Sequence, residues 1–289
     1  MNQIDTETIA IGTELLIGGR SDSNSLFLAD ELGKLGIAVR FKSVVGDERR
    51  DIVTVIHTAV KRAQVIIMTG GLGPTVDDCT REAVASATGH RLGRRKEALE
   101  GMTARLAQWG RIPSPAQLRQ ALIPSGATVL KNPVGSAPGF CLTWKKTLII
   151  CLPGVPREME EMMRQEVVPL LSAASELSGR LPRLPILRQV FHTFGLAEAD
   201  VDAKLKGLIS KGVPVDLGLL ASPMGVLVSL TTKGNQSAQE KNRDLLQKLA
   251  DDLRVRLSDW LFAEGSDTME EVVGRELTKR GLMLAVAES

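Results

Sequence analysis

Residues 63–89 read AQVIIMTGGLGPTVDDCTREAVASATG. AQVIIM is a short, continuously apolar run of the kind a central parallel strand requires, because such a strand is buried on both faces. DCTREAVASATG reads as a helix that stops at Gly89. Between them lie Gly70, Gly71, Gly73 and Pro74, followed by the adjacent acids Asp77 and Asp78. Strand, glycine-rich turn and helix in this order form part of a βαβ unit and set the fold class.

The same alternation continues outward. TIAIGTELLIG (8–18) reads as a buried strand ending in a Gly-Thr-Glu turn. SDSNS (21–25) offers N-cap candidates before a helix whose inner face is Leu28, Leu32 and Leu35, with Gly36 as its stop. IAVRFKSVV (37–45) alternates like a strand, Asp47 stands where the next helix should begin, and Ile52, Ile56 and Val60 mark that helix's inner face. The pattern predicts a doubly wound, mainly parallel α/β sheet with ligands at the loops after the carboxyl ends of its strands. Further on come the helix KEALEGMTARLAQWG, the Pro-broken RIPSPAQ and the Gly/Pro-dense loop NPVGSAPGF (132–140). TLIICLPGVP (147–156) is another apolar strand with a tight exit, and REMEEMMRQEVVPLL a helix with its methionines inward. After about residue 172 a linker leads to QVFHTFG, a helix around ADVDAKLKGLI, GVLVSLTTKG and the charged helix 239–256, an order that suits a small α+β domain. The expected divisions are 1–171, 172–256 and 257–289, the last reading as a helix and a strand.

Composition narrows the function. With 43% hydrophobic and 24% charged residues the chain is ordinary for a soluble globular protein. A net charge of +2 gives no cause to expect a nucleic-acid or membrane partner. Tyrosine is absent and aromatics are 3%, which removes the usual base-stacking platforms. No Gly-x-x-Gly loop joins helices in the second half, so a KH-like module is not expected. Cys79, Cys141 and Cys151 are odd in number and widely spaced, which suggests neither a disulfide framework nor a zinc site. No basic leader or membrane-length apolar run is present, and a cytoplasmic protein is the default expectation.

The chemistry-bearing residues cluster at the strand exits. Glycines 70, 71 and 73 would let backbone N–H groups face an anion at the next helix's start. The loop lacks the Gly-Lys-Ser/Thr of a Walker A motif, and Val76 stands where a dinucleotide fingerprint has its third glycine. A plain turn with Asp77 or Asp78 as N-cap is the simpler reading, although two carboxylates exceed what one cap needs. Asp47 alone would also pass for an N-cap. In a parallel sheet, however, Asp47 and Asp78 emerge on one edge, where two carboxylates suit a hard cation bridging phosphate oxygens, or a water to be polarised. Thr13, Glu14, Asp22, Asn24 and Ser25 end the first strand's region, and Asn132, Gly135, Ser136 and Gly139 give a hydroxyl- and amide-bearing loop. Glu158 in a helix's first turn favours the dipole and needs no ligand to explain it. His57, His90 and His192 are scattered, against an imidazole metal site.

Five segments, GTELLIGGRSDSNS, VVGDERRD, TGGLGPTVDDCTRE, NPVGSAPGF and LPGVPREMEEM, in this order resemble the N-terminal region of the CinA family. Its first domain is similar to the molybdopterin-binding proteins of molybdenum-cofactor biosynthesis. The resemblance implies divalent-metal-dependent hydrolysis of ADP-ribose, with magnesium, manganese or cobalt, and a monovalent cation beside it. It implies Asp47 and Asp78 as the catalytic, metal-holding pair, with Asp77 the extra acid of this branch. It further implies substrate contacts from Gly12, Thr13, Glu14, Asp22, Asn24, Ser25, Thr69, Gly70, Gly71, Gly73, Pro74, Thr75, Thr80, Asn132, Gly135, Ser136, Ala137, Gly139 and Gly154. The expected partners are a small nucleotide and a second copy of the chain, with no nucleic acid and no membrane. A non-catalytic pterin or nucleotide binder, or a scaffold for a separate amidase, are the alternatives. Ala199 and Gln117 depart from the family's usual serine and asparagine. The closing LAVAES resembles the opening of the family's C-terminal amidase domain, which acts on nicotinamide mononucleotide and continues into Cys-Thr-Gly-Gly; deamidase activity is therefore not expected of this chain.

Overall fold

A computed structural model describes residues 5–178, 187–210, 212–232, 239–285 and 287. It divides into two compact units, residues 1–185 and 186–289.

The first unit is built on a six-stranded sheet of order β2-β1-β3-β8-β7-β6. Its strands are β1 (Thr6–Ile11), β2 (Val39–Val45), β3 (Val65–Thr69), β6 (Thr128–Leu130), β7 (Gly139–Trp144) and β8 (Thr147–Leu152), while β4 (Leu92–Arg94) and β5 (Leu122–Pro124) pair apart from it. β1 runs parallel to β2 and β3, and β3 parallel to β8; β7 and β6 close the sheet antiparallel. The sheet is therefore mixed and mostly parallel, as the apolar runs of β1, β3 and β8 require.

Helices cover both faces. One core contains Ile9, Ile11, Ile66 and Met68 with Ile52, Ile56, Ala83 and Val84, from α3 (Arg49–Ala59) and α4 (Thr80–Thr88). The other contains Val65 and Ile67 with Leu28, Leu32, Met159 and Met162, from α2 (Ser23–Lys34) and α7 (Pro156–Met162). Alternate strand residues thus feed opposite layers, which is what a two-sided sheet demands. The short α1 (Thr13–Leu16), α5 (Lys96–Gln108) and α6 (Pro115–Leu118) complete this part. Gln117 is accounted for locally, since it forms a capping box with Ser114. The helical turns after α7 continue into α8 (Val168–Ser178), which carries the first unit through the expected boundary at 171/172 to a division at 185/186.

The second unit runs β9 (Arg188–Thr193), α9 (Glu198–Leu205), β10 (Val215–Ser222), β11 (Gly225–Thr232), α10 (Gln239–Leu257), β12 (Leu261–Glu264), then α11 (Met269–Lys279). Its antiparallel sheet has the order β10-β11-β9-β12. Phe191, Val228 and Leu230 from the strands pack on Val201, Leu205, Leu246 and Leu253 from the helices. The strand expected near residues 282–287 does not form among the described residues, where Leu282, Met283 and Leu284 are exposed. Among the described residues no helix is long and apolar enough to cross a membrane.

Candidate functional site

Because β1, β2, β3 and β8 are parallel, their carboxyl ends reach the same edge of the sheet. Those ends lead into Gly12–Thr13, Gly46–Asp47, Gly70–Asp78 and Gly154. β7 runs the other way, so the loop that enters it, residues 132–138, comes to the same edge. The chain order β1, β2, then β3 on β1's other side makes this edge a topological switch point.

Neither candidate aspartate caps a helix. α3 has Glu48 as its N-cap and α4 has Cys79, and neither cap makes a side-chain bond to its helix. The simpler readings of Asp47, Asp77 and Asp78 as caps are thus corrected: the caps fall later in the chain, at Glu48 and Cys79, and the Asp47 and Asp78 carboxylates serve loops instead. Asp47 Oδ2 accepts the Thr13 N–H at 2.8 Å, and Thr13 Oγ1 lies 3.3 Å from the Asp47 N–H that donates to it. Asp78 Oδ2 accepts the Thr75 N–H at 2.9 Å and the Thr75 hydroxyl as well. Cys79, the residue after Asp78, ties its loop to the β2 exit: its thiol donates to the Asp47 backbone carbonyl at 2.9 Å. Burial, with the nearby acids Glu82, Asp47 and Glu48, holds that thiol's pKa above its ordinary value. It therefore stays a neutral donor at physiological pH. Asp77 beside this pair is exposed.

The glycines let backbones approach. A Cβ on Gly70, at φ +104, would lie 2.1 Å from the Ile11 carbonyl oxygen; on Gly71, at φ +64, 2.2 Å from Thr80 Oγ1. A Cβ on Gly73 would meet the Asp78 carboxylate at 2.3 Å, so Asp78 lies directly against that glycine. Thr69 is buried at the end of β3, and Pro74 and Thr75 carry the loop round to the acids. Glu14 folds back over Gly12.

From α2's start, Asp22 caps the helix through the Ser25 N–H and pairs with Lys42 at 2.9 Å. Asn24 Nδ2 donates to the Gly154 carbonyl at 2.8 Å, which joins this corner to the β8 exit. Asn24 Oδ1 and Ser25 Oγ are buried without a hydrogen-bond partner among the described residues. In the 132–139 loop, Asn132 Oδ1 accepts from the N–H groups of Val134 and Gly135, and its Nδ2 donates to the Ala137 carbonyl and Glu158 Oε2. Gly135 is required there, since a Cβ would sit 2.0 Å from Glu158. Gly139 lies deeper, against the Cys151 carbonyl, and serves packing. Glu158 does more than answer a helix dipole. It supports Asn132, and burial pushes its carboxyl up from the ordinary range although the Asn132 amide opposes this.

Sequence reasoning missed Arg81 and Gln120. Both are 1% exposed. Arg81 donates to the Leu72 and Gly73 carbonyls; Gln120 donates to Leu72 O and accepts the Ser136 hydroxyl, both at 3.4 Å. An arginine one position after a helix's first residue reads as solvated, so only the burial reveals it. The histidines lie elsewhere: His57 stacks on Trp144, and His192 bonds the Gly265 carbonyl.

The donor set fits one kind of metal site. Asp47 and Asp78 offer hard carboxylate oxygens, suited to a divalent ion that keeps its waters and completes its shell with substrate phosphates. Among the described residues no group of three or more His, Cys, Asp or Glu is placed to hold a metal ion.

Residues 7–173 match the family described as a probable molybdopterin binding domain, which defines the class of the first unit. Residues 188–263 match the damage-inducible protein CinA KH domain. The chain belongs to the CinA-like protein family, with both of these domains present. A CinA-like protein of Koribacter versatilis is 36% identical over 98% of this chain and 67% of its own length. One of Geotalea uraniireducens is 35% identical over 98% of this chain and 66% of its own length. The chain thus spans about two thirds of the curated relatives it matches. The crystal structure of the protein CinA with unknown function from Thermoplasma acidophilum is 32% identical, with a TM-score of 0.55 over 59% of this chain and 99% of that one.

The KH match corrects the expectation drawn from the missing Gly-x-x-Gly loop. Among the described residues of this unit β10 and β11 separate α9 from α10, so these two helices are not joined by a single loop.

Proposed function

We propose that this chain hydrolyses the diphosphate of ADP-ribose to AMP and ribose 5-phosphate with a divalent ion. The observation that supports it is the pair of aspartates, released from helix capping and gathered with a glycine loop at one sheet edge. Asp47 and Asp78 would hold the ion, which when bound supplies charge neutralisation on the diphosphate. Thr13 and Thr75 fix Oδ2 of each carboxylate, which leaves Oδ1 for ion or water. The 70–73 loop would offer backbone donors to the phosphates, and Ser136, on the loop that Asn132 organises, would contact ribose or phosphate. Most of the rate then comes from positioning and preset electrostatics. The purified chain is incubated with ADP-ribose and magnesium, manganese or cobalt, and AMP is measured by chromatography. Asp47→Asn and Asp78→Asn should each lower turnover by about 100-fold or more. No AMP above the double variant's background would sink the reading.

The sparse donor set favours one second reading, a pterin or nucleotide binder without turnover. It predicts a saturable rise in melting temperature with ligand while no product forms.

A further inference from the structure

The loop from Gly70 to Gly73 is held along its carbonyl side by the first turn of α4. Thr80 Oγ1 donates to Gly70 O at 2.8 Å and the Thr80 N–H to Gly71 O at 3.2 Å. Arg81 Nη1 donates to Leu72 O at 2.7 Å and Nη2 to Gly73 O at 2.8 Å. The Gly70 N–H is used in the sheet, on Leu152 O at 3.1 Å. Those of Gly71, Leu72 and Gly73 have no acceptor among the described residues.

These facts are geometrically linked. In a planar trans peptide the carbonyl and the following N–H point in opposite directions. Drawing the oxygens of Gly70, Gly71 and Leu72 toward α4 therefore turns the N–H groups of Gly71, Leu72 and Gly73 away from it. The run of donors ends there, because residue 74 is proline and has no N–H. Successive N–H groups without protein acceptors make an anion-binding concavity.

Arg81 is an unusual residue to use as the fastener. It is 1% exposed, makes no ion pair among the described residues, and its Nε–H has no acceptor. Burying an unpaired cation is costly, and a neutral amide would satisfy carbonyls with a far smaller desolvation penalty. A guanidinium gives two things an amide cannot. Its rigid fork spans two successive carbonyls, and its charge sits behind a loop whose front is proposed to meet an anion. Gln120 carries the restraint on to Ser136.

We propose that Arg81 is a positioning residue: its fork fixes the Leu72 and Gly73 carbonyls and so aims the Gly73 N–H, and, with Thr80 turning those of Gly71 and Leu72, completes a run of donors for one phosphate of a diphosphate ligand. Arg81 itself does not touch that ligand. The ligand's identity rests on the function proposed above; the loop's restraint does not.

The test uses the full chain with Arg81→Met, which removes charge and fork, and Arg81→Lys, which keeps the charge alone. Both should raise the KM for ADP-ribose, and weaken inorganic pyrophosphate binding by calorimetry, by about tenfold with kcat changed less than about threefold. Amide exchange at Gly70 and Thr80, the protected amides flanking the loop, should quicken by about tenfold while β9–β11 stays unchanged. Wild-type KM and wild-type exchange in Arg81→Met would overturn the proposal. So would full recovery of KM by lysine, since charge without the fork would then suffice. If the wild-type chain neither hydrolyses ADP-ribose nor binds pyrophosphate, the functional reading fails, and the exchange comparison alone decides the role of Arg81. If Arg81→Met does not fold, Thr80→Val deletes one carbonyl bond while keeping shape. It should move KM and exchange the same way to a smaller extent, and no movement counts against the proposal.

Discussion

At Gly70 the demands of fold and site fall on one atom. The residue has a positive φ, and a Cβ would lie 2.1 Å from the Ile11 backbone oxygen. Gly89, which ends α4 in the left-handed conformation at φ +73, has nothing within 4 Å of its Cβ position. The two glycines therefore separate backbone strain from steric conflict. Gly89→Ala carries only the strain, about 1 kcal/mol. Gly70→Ala adds a clash with main chain that can yield only if β1 and β3 move apart, and should cost at least about 3 kcal/mol. Urea unfolding of both variants checks this; equal losses would mean the loop relaxes freely around residue 70.

At the level of elements, the first turn of α7 and the 132–139 loop are one device. The half-buried Glu158 accepts from Asn132, which in turn organises the loop's N–H groups. Burial raises the Glu158 pKa in the folded state above its unfolded value. Its proton is thus bound more tightly when the chain is folded. The carboxylate's contribution to stability worsens as pH rises out of the ordinary carboxylate range and is relieved as pH falls back into it. Glu158→Gln keeps an oxygen for Asn132 and removes the charge. The variant should be the more stable chain at pH 7, with the gap closing toward pH 4. Denaturant midpoints across that range measure it, and a gap that widens on acidification would refute the burial argument. The same scale shows what could be read beforehand. β1, β3 and β8 were legible because strands buried on both faces must be uninterrupted apolar runs. Gly89 marked a helix end because only glycine takes that conformation cheaply. The start of α2 was legible in SDSNS, where Asp22 is the cap; those of α3 and α4 were not, since Asp47 and Asp78 have the chemistry of caps and only the fold shows that their acceptors face Thr13 and Thr75. Arg81 was hidden for a similar reason, because its partners are carbonyls, which every residue carries. LMLAVA looked like a strand by composition, yet among the described residues Leu282, Met283 and Leu284 stay exposed and pair with no strand.

The molecule as a whole has two hydrophobic systems. The first unit's sheet is covered on both faces by the helices around Ile66 and Ile67, whereas the second has its own core centred on Phe191, Val228 and Leu253. No residue belongs to both systems, so each unit meets the physical condition for its own cooperative transition. Phe191 is fully buried on β9, flanked by β11 and β12. Phe191→Ala would leave a cavity that the neighbouring strands cannot close without breaking their register, at a cost of about 3–5 kcal/mol. That loss should fall on the second unit alone. Calorimetry of the full chain should show two transitions, of which only one moves in the variant. Pyrophosphate affinity, which depends on the 70–73 loop of the first unit, should stay at its wild-type value. A single transition shifted as one, or a matching loss of pyrophosphate binding, would mean that the second domain is needed to hold the site in shape and does not merely accompany it.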